Sequence, residues 1–326
     1  MLLSLHEFLH ENDMLNRRIL RIKAFKVIYG YAVTGRKSLE DAYAELEQSC
    51  EATRDLYLMM LAVIPPLTRE ARSRIEDARR KIRPTEEDLN PNEKFADNRL
   101  AALLEEDKDF RKQLKKRNLD WAPYDLFIRR LYDTVSGKPY FLEYMEAEER
   151  SLAGDCRLFV RIFEEEFVDD ATLEPILEEL SIYWNDDLAY ALTWCCHTLD
   201  DLARGRSWSL PELYQSDIVN RRKGTACMDS DRDFVRKLLR CAFTGYESYF
   251  ARVAASVSDW DSDRLFSSDM ALLACAMAEL EHFPEIPRNV TLNEYVEISK
   301  FYCSPKSRSF INGLLDRFVK ENNQSE

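Results

Sequence analysis

A nearly continuous apolar run close to the C-terminal end places the strongest constraint on the fold. Residues 272–280 read LLACAMAEL, and Glu279 is the single charged side chain among them. A helix that is apolar on every side has to be buried on every side. The run is also shorter than the roughly 18 residues of a membrane span. The sequence therefore predicts a central helix that other helices surround.

Amphipathic patterns elsewhere supply those helices. Segments 14–34 and 231–253 repeat apolar residues at steps of three and four, which is the spacing of one helical face. Only 8 glycines occur in 326 residues, and alternating strand patterns are hard to find. We therefore predict an all-α fold.

The last part of the chain predicts two short helices. Thr291 and Glu294 have the spacing of a capping box, and Ser304 before Pro305 is typical of a second helix start. Gly313 lies inside that second helix, where glycine costs about 1 kcal/mol relative to alanine. We interpret this glycine as a sign that another backbone comes close.

Charge limits where nucleic acid can bind. The formal net charge of −13 gives no overall electrostatic footprint for it, so such a site has to be a local basic patch. The helix over 14–34 carries the clearest patch, with no acid between Asp13 and Glu40 and five basic residues: Arg17, Arg18, Arg21, Lys23 and Lys26. Contact with phosphate or RNA and a solvated helix face both remain open for it. A second basic run, Arg111–Arg117, is flanked by acids, and we interpret it as a solvated face.

Three motifs suggest metal or acid–base chemistry, and none is specific. Residues 6–10 match HExxH, in which two histidines hold zinc and the glutamate acts as a base. The match fixes only three positions and stands at the very start of the chain. The neighbouring cysteines of Cys195–His197 point to different helix faces, and the acidic pairs within 164–170 are typical of helix surfaces. We expect no metal, no cofactor and no catalytic residue.

Cysteine usage and the N-terminus bear on the compartment. The 8 cysteines are irregularly spaced, with no CxxC pair, which is typical of buried thiols in a reduced protein. The first residues lack the positive charge and apolar core of a signal peptide. We expect a cytoplasmic location.

The C-terminal stretch carries a set of residues at fixed gaps: Glu279, Leu280, Pro287, Val290, Asn293, Glu294, Glu297, Lys300 and the run Phe310–Asp316. This set resembles the NusB family of bacterial transcription antitermination factors. That family shows a buried helix ending in Glu-Leu, then Pro-x-x-Val-x-x-Asn-Glu-x-x-Glu-x-x-Lys, then Phe-Val-Asn-Gly-x-Leu-Asp. The arginines before Ile28-Tyr29 are similar to the Arg-rich segment that opens the family.

The resemblance implies a NusB-like bundle of two three-helix sub-bundles, formed by 14–35 and 231–320. Residues 36–230 would be a large helical insertion, as in an extended form from the Bacteroidetes, and 321–326 a disordered tail. Residues 1–13 would be an N-terminal extension. Met14 matches the Met-x-Asn-Arg with which family members often begin, so Met1 and Met14 both remain candidate native starts.

The resemblance also implies a function without catalysis. Family members pair with NusE, a protein of the small ribosomal subunit, and bind the boxA element of ribosomal RNA transcripts. The complex joins RNA polymerase with other Nus factors. RNA contact is implied for Arg17, Arg18, Arg21, Lys26, Tyr29, Lys306 and Arg308. Contact with NusE is implied for Asp269 and, more weakly, Glu279. Arg17 and Arg21 would then share one face of the molecule with Lys306 and Arg308.

Departures from the family pattern leave a second interpretation open. The family's central helix usually carries Leu-Arg early and Tyr-Glu late, whereas here those places hold Leu273-Ala274 and Ala278-Glu279. The protein could therefore be an interaction scaffold that keeps the fold and has lost boxA binding. NusB-like folds also occur fused to RNA methyltransferases, but no glycine-rich nucleotide loop follows a strand here.

Overall fold

A computed structural model describes residues 14–35, 38–168, 170–214, 231–256 and 266–323. Within these ranges the protein is all-α and contains no strand, which confirms the predicted fold class. The HExxH motif and the predicted extension over 1–13 lie outside the described residues. None of the described helices is both long enough and apolar enough to cross a bilayer.

The chain divides into two compact units. Unit 1 comprises residues 51–211, and unit 2 comprises residues 14–50 together with the described residues from 212 onward. The first eleven helices of the chain are α1 (Arg17–Thr34), α2 (Leu39–Leu61), α3 (Ile64–Arg79), α4 (Glu86–Leu89), α5 (Arg99–Glu106), α6 (Lys108–Arg117), α7 (Asp125–Ser136), α8 (Pro139–Glu146), α9 (Leu152–Ile162), α10 (Leu173–Leu180) and α11 (Leu188–Ala203). Four more follow: α12 (Asp231–Ser256), α13 (Ser267–His282), α14 (Arg288–Tyr302) and α15 (Pro305–Asn323).

Unit 1 is packed around aromatic side chains. The ring of Phe95 lies 5.0 Å from that of Phe141 and 5.9 Å from that of Phe159, measured between centroids. Two buried tryptophans donate their indole N–H groups to backbone carbonyls of α2: Trp121 to Met59 at 2.7 Å and Trp184 to Ala52 at 2.8 Å. Such aromatic groups combine large buried area with a satisfied polar end.

Unit 2 is built around α13, as the sequence predicts. Every residue from Met270 to Ala278 is at most 2% exposed. Helices α1, α12, α14 and α15 all pack against α13, and this surrounding shell explains why the helix can be apolar on all sides. The segments 14–35 and 231–320 both fall in this unit, while the boundaries predicted at 36 and 230 stay a prediction.

Two local predictions for the C-terminal helices are wrong, and one is confirmed. Ser304 does cap α15, because its hydroxyl accepts the Ser307 N–H at 3.1 Å. Gly313 is exposed, and a Cβ built there would meet nothing within 4 Å, so no backbone approaches it. The side chains of Thr291 and Glu294 form no capping box, since α14 begins at Arg288 and both bind other helices. Helix α15 runs to Asn323, into the predicted tail, and residues 324–326 lie outside the described residues.

Candidate nucleic-acid interface

One buried carboxylate joins three helices of unit 2. Glu279, on α13, is 0% exposed. Arg21 of α1 binds it with two parallel hydrogen bonds, from Nε at 2.8 Å and from Nη2 at 2.7 Å. From α14, the Thr291 hydroxyl donates to the same carboxylate at 2.8 Å and the Tyr295 hydroxyl at 3.2 Å. Four donors therefore satisfy a charge that would be costly to bury alone.

The electrostatics of this network favour the charged form of Arg21. Burial disfavours the Arg21 cation, but the hydrogen bonds and charge of Glu279 outweigh burial and raise the pKa of Arg21 above its usual value. Burial and the neighbouring Glu279 charge also raise the pKa of Tyr295, so its hydroxyl stays a proton donor. Arg21 therefore stays a cation, and Tyr295 stays a hydrogen-bond donor to Glu279.

The other two arginines of α1 in the predicted RNA site are also paired with acids. Arg18 donates two hydrogen bonds to the Glu294 carboxylate, from Nε at 2.8 Å and from Nη2 at 2.7 Å. Arg17 donates from Nε to Asp231 at 3.0 Å, and its guanidinium lies 4.8 Å from the ring centroid of Phe234. Their side chains keep 25% exposure at Arg17 and 33% at Arg18, so each retains a face toward solvent.

Arg21 differs from its neighbours because it is buried. It is 3% exposed, and its Nε and Nη2 are bound to Glu279. A phosphate could reach it only by displacing a carboxylate that is itself fully buried. Contrary to the prediction, Arg21 is not placed where RNA could contact it, and it joins α1 to α13 through Glu279.

The second half of α1 carries a cation and aromatic rings that meet the end of α14. The Lys26 ammonium lies 5.7 Å from the ring centroid of Tyr302, within the range of a cation–π contact. Phe25 packs between Tyr302, at 5.3 Å, and Tyr29, at 6.4 Å between centroids. Tyr29 is 42% exposed. We call Lys26, Tyr29 and Tyr302 the aromatic edge.

The predicted contacts on α15 start four residues after Tyr302. Lys306 is exposed, and Arg308 is half-buried, with its Nη2 donating to the Lys300 carbonyl at 2.7 Å. Arg308 therefore folds back onto the end of α14. Arg17 and Arg21 lie in the first half of α1, and the face that they are predicted to share with Lys306 and Arg308 stays a prediction.

The two predicted partner-binding residues cannot contact another chain as they are placed. Asp269 is 1% exposed, and the Cys303 thiol hydrogen-bonds to it; that bond and, above all, burial raise the pKa of Cys303. Glu279 is 0% exposed and holds Arg21. In the sequence, a charged residue on a nearly apolar helix is compatible with a surface contact or with a buried ion pair. The burial of Glu279 beside Arg21 shows that it forms a buried ion pair.

Sequence patterns did not single out Tyr302, Thr291 or Tyr295 for these roles. A signal for Tyr302 was present, because it follows Tyr295 by seven residues and therefore shares a helix face with it. The contact between Tyr302 and Lys26 joins residues 276 positions apart, which no local pattern reveals.

Unit 2 is thus an all-α bundle domain whose arginine-bearing first helix is tied to the C-terminal helices by a buried carboxylate. The NusB family model matches residues 198–320 of this chain. Relatives named "Transcription antitermination protein NusB" include that of Listeria monocytogenes serotype 4b, strain CLIP80459. It is 32% identical over 93 residues, which is 28% of this chain and 73% of the relative.

Two further relatives with the same name extend the comparison. That of Clostridium botulinum, strain Alaska E43, is 32% identical over 108 residues, covering 33% of this chain and 74% of the relative. That of Bacillus mycoides, strain KBAB4, is 30% identical over 117 residues, covering 34% and 90%. No solved structure gives a significant match. The chain belongs to the NusB family, and the matched residues contain Glu279, whose partner Arg21 lies outside them.

Proposed function

We propose that this protein is a transcription antitermination factor that binds boxA-type RNA of ribosomal RNA transcripts together with NusE. It would act on RNA polymerase elongation alongside other Nus factors, in the cytoplasm and without catalysis. Membership of the NusB family and the printed name of its relatives support the general function. NusE and boxA are proposed from the resemblance of the motifs, and the geometry of unit 2 bears on where RNA would bind.

The aromatic edge is the observation that best supports an RNA site. Unpaired bases of single-stranded RNA stack on exposed aromatic rings, and each such contact is worth about 1–3 kcal/mol. Tyr29 offers an exposed ring, and Lys26, one helical turn before it on α1, supplies a cation that lies over the Tyr302 ring. Lys306 adds a second exposed cation at the start of α15. Bases on the rings and phosphates on the lysines would together hold a short single strand.

The paired arginines take a secondary part in this proposal. Arg17 and Arg18 keep a solvent-facing side while bound to Asp231 and Glu294. Each acid cancels much of the field that a phosphate would feel, so their contribution to binding should be weaker than that of Lys306. Arg21 acts as a positioning residue, because it fixes the helix that carries Lys26 and Tyr29.

The test is the affinity of the full-length protein for boxA RNA, with and without NusE, over a series of salt concentrations. Removal of one phosphate-binding cation should reduce the slope of log affinity against log salt by about 0.7 for a single strand. The double variant Lys26→Gln/Lys306→Gln should therefore lower the slope by about 1.4 and the affinity about 25-fold at roughly 0.1 M salt.

A matched control is available on the same helix as Lys306. Lys320 is exposed and lies about 21 Å further along α15, from the helical rise per residue. Lys320→Gln should leave boxA binding unchanged. An equal loss in the control would show a nonspecific charge effect, and full binding by the double variant would remove the proposed site.

One observation favours the alternative, an interaction scaffold that has lost boxA binding. All three arginines of α1 are matched by carboxylates of unit 2, which leaves the helix with less free positive charge than its sequence suggests. NusE capture by the wild-type protein, with no affinity for boxA RNA in the presence or absence of NusE, would establish the scaffold instead.

A further inference from the structure

A face of α6 in unit 1 carries five cations in a row. Their spacing of three, one, three and one residues places them along one side of the helix, and every one is exposed. Together they line a single shallow depression: Lys108, Arg111, Lys112, Lys115 and Lys116. We call this set the α6 basic face.

The α6 basic face is not neutralised within the part of the chain that the structure describes. None of its five cations lies within 4.0 Å of a carboxylate there, whereas other exposed arginines of unit 1 are paired: Arg69 with Glu105, Arg72 with Asp97 and Arg130 with Asp170, at 2.6 to 2.8 Å. Arg117 ends the same helix, is largely buried, and binds both Glu51 and Asp55. Pairing is therefore the rule in unit 1, and this face departs from it.

Three of the acids that flank the run in sequence have other partners. Glu105 pairs with Arg69. The Asp107 carboxylate caps α6 by accepting the Phe110 N–H at 2.8 Å, and Asp120 accepts the Ala122 N–H at 3.0 Å. Asp109, the one acid of α6, is exposed and forms no ion pair among the described residues. The five cations therefore form an exposed helix face, as the sequence predicts, and among the described residues no flanking acid forms an ion pair with them.

The α6 basic face also lowers the stability of its own helix. Lys108 and Lys112, and Lys112 and Lys116, are like charges four residues apart, which destabilises a helix. Lys108 occupies the first helical position, where the helix dipole disfavours a cation. A helix chosen for stability alone would place its cations near the C-terminal end only. A negative charge from outside the chain would relieve this repulsion.

We propose that the α6 basic face is a second RNA-binding surface, which holds the phosphate backbone without reading bases. Its cations extend over about 12 Å of helix, while a nucleic-acid strand offers one phosphate per roughly 3.4 Å of axis. The aromatic ring of α6, Phe110, is 1% exposed and unavailable for stacking. Contact therefore rests on phosphates alone and is independent of sequence. The choice of RNA among polyanions rests on the proposed function.

The test uses the full-length protein and a single-stranded RNA that lacks a boxA sequence. Lys108→Gln/Lys112→Gln should weaken binding about 25-fold at roughly 0.1 M salt and lower the salt slope by about 1.4. The matched control is Arg80→Gln/Lys81→Gln, which removes the same charge from side chains 73% and 57% exposed that are paired with Glu76 and Asp88. The control should bind as the wild type does.

Stability measurement guards against a folding artefact. Because like-charge repulsion is relieved, Lys108→Gln/Lys112→Gln should unfold at the same temperature as the wild type or higher. Equal losses in both double variants, or no loss in either, would overturn the proposal. The proposal would also be overturned if Lys108→Gln/Lys112→Gln kept its affinity for RNA but lost binding to vesicles of anionic lipid, because that result would assign the face to a membrane.

The two proposals fail in different ways. If boxA binding survives Lys26→Gln/Lys306→Gln while Lys108→Gln/Lys112→Gln loses binding to unrelated RNA, the site in unit 2 is wrong and the α6 basic face stands. If the variant of α6 binds all RNA normally while the variant of unit 2 loses boxA RNA, the α6 proposal alone is refuted.

Discussion

The substitution Glu279→Gln tests whether one carboxylate holds unit 2 together. It keeps the shape of the side chain and removes its charge, which leaves the Arg21 guanidinium buried without a counter-ion. Glutamine also replaces one acceptor oxygen with an NH2 group, which would face donors from Arg21 or Tyr295. Removing one partner of a buried ion pair costs about 3–5 kcal/mol, and we expect that loss here.

The assay has to separate the two units. Four of the five tryptophans lie in unit 1, so their fluorescence reports mainly that unit, while far-ultraviolet circular dichroism follows the helices of both. Urea unfolding of Glu279→Gln at neutral pH should move the circular dichroism transition to lower urea, with a smaller change in fluorescence. Two units need not unfold together, so each signal is fitted by itself.

A double-mutant cycle decides whether the loss comes from the pair. Arg21→Met removes the stranded charge and keeps much of the aliphatic volume, so Glu279→Gln/Arg21→Met should recover a large part of the stability lost by Glu279→Gln. A single-variant cost below about 1 kcal/mol would refute the reasoning, because that is the range of an exposed pair. Absence of any recovery in the double variant would refute it as well.

Three further predictions follow from single residues. Burial raises the pKa of Glu294, but Arg18 lowers it by more, to below the usual 4.5. The loss of stability caused by Glu294→Gln should therefore be full above about pH 4.5 and vanish in stronger acid. A difference in urea unfolding between variant and wild type that does not change with pH would contradict this. Gly313→Ala should raise the free energy of unfolding by about 1 kcal/mol, because the added methyl group meets open space in a helix; a loss would mean that the position is not helical. Cys275 is 0% exposed, and burial raises the pKa of its thiol. It should therefore react with iodoacetamide only as fast as unit 2 opens. Mass spectrometry measures this rate and compares it with that of the more exposed Cys196.

The fold could be predicted from the sequence because its strongest signals are local. The apolar run of α13 required a surrounding shell, and helices α1, α12, α14 and α15 supply it. Thr291 and Glu294 show the limit of such signals. Their spacing fits a capping box, but a distant arginine and a buried carboxylate compete for the same side chains and bind them more strongly than a helix end does.

The candidate site was harder to predict, because exposure decides it and sequence does not give exposure. In the sequence, Arg17, Arg18 and Arg21 form a basic patch, since no acid occurs between Asp13 and Glu40. Their acids arrive from 214 to 276 residues away, in the cases of Asp231 and Glu294. Periodicity shows which residues share a helix face, but it cannot show which carboxylates another helix will place against them.

The cations of this protein therefore fall into two kinds, according to whether another helix supplies a carboxylate that pairs with them. Where a carboxylate is supplied by another helix, the cation joins elements of the fold: Arg21 holds α1 on α13, and Glu47 takes Arg232 and Arg236 of α12. Along the α6 basic face no described residue supplies a carboxylate, and the like charges there cost the helix stability. A ligand that brings its own phosphates would offset this cost, so the α6 basic face carries a stronger case for binding phosphate than the paired arginines of α1 do.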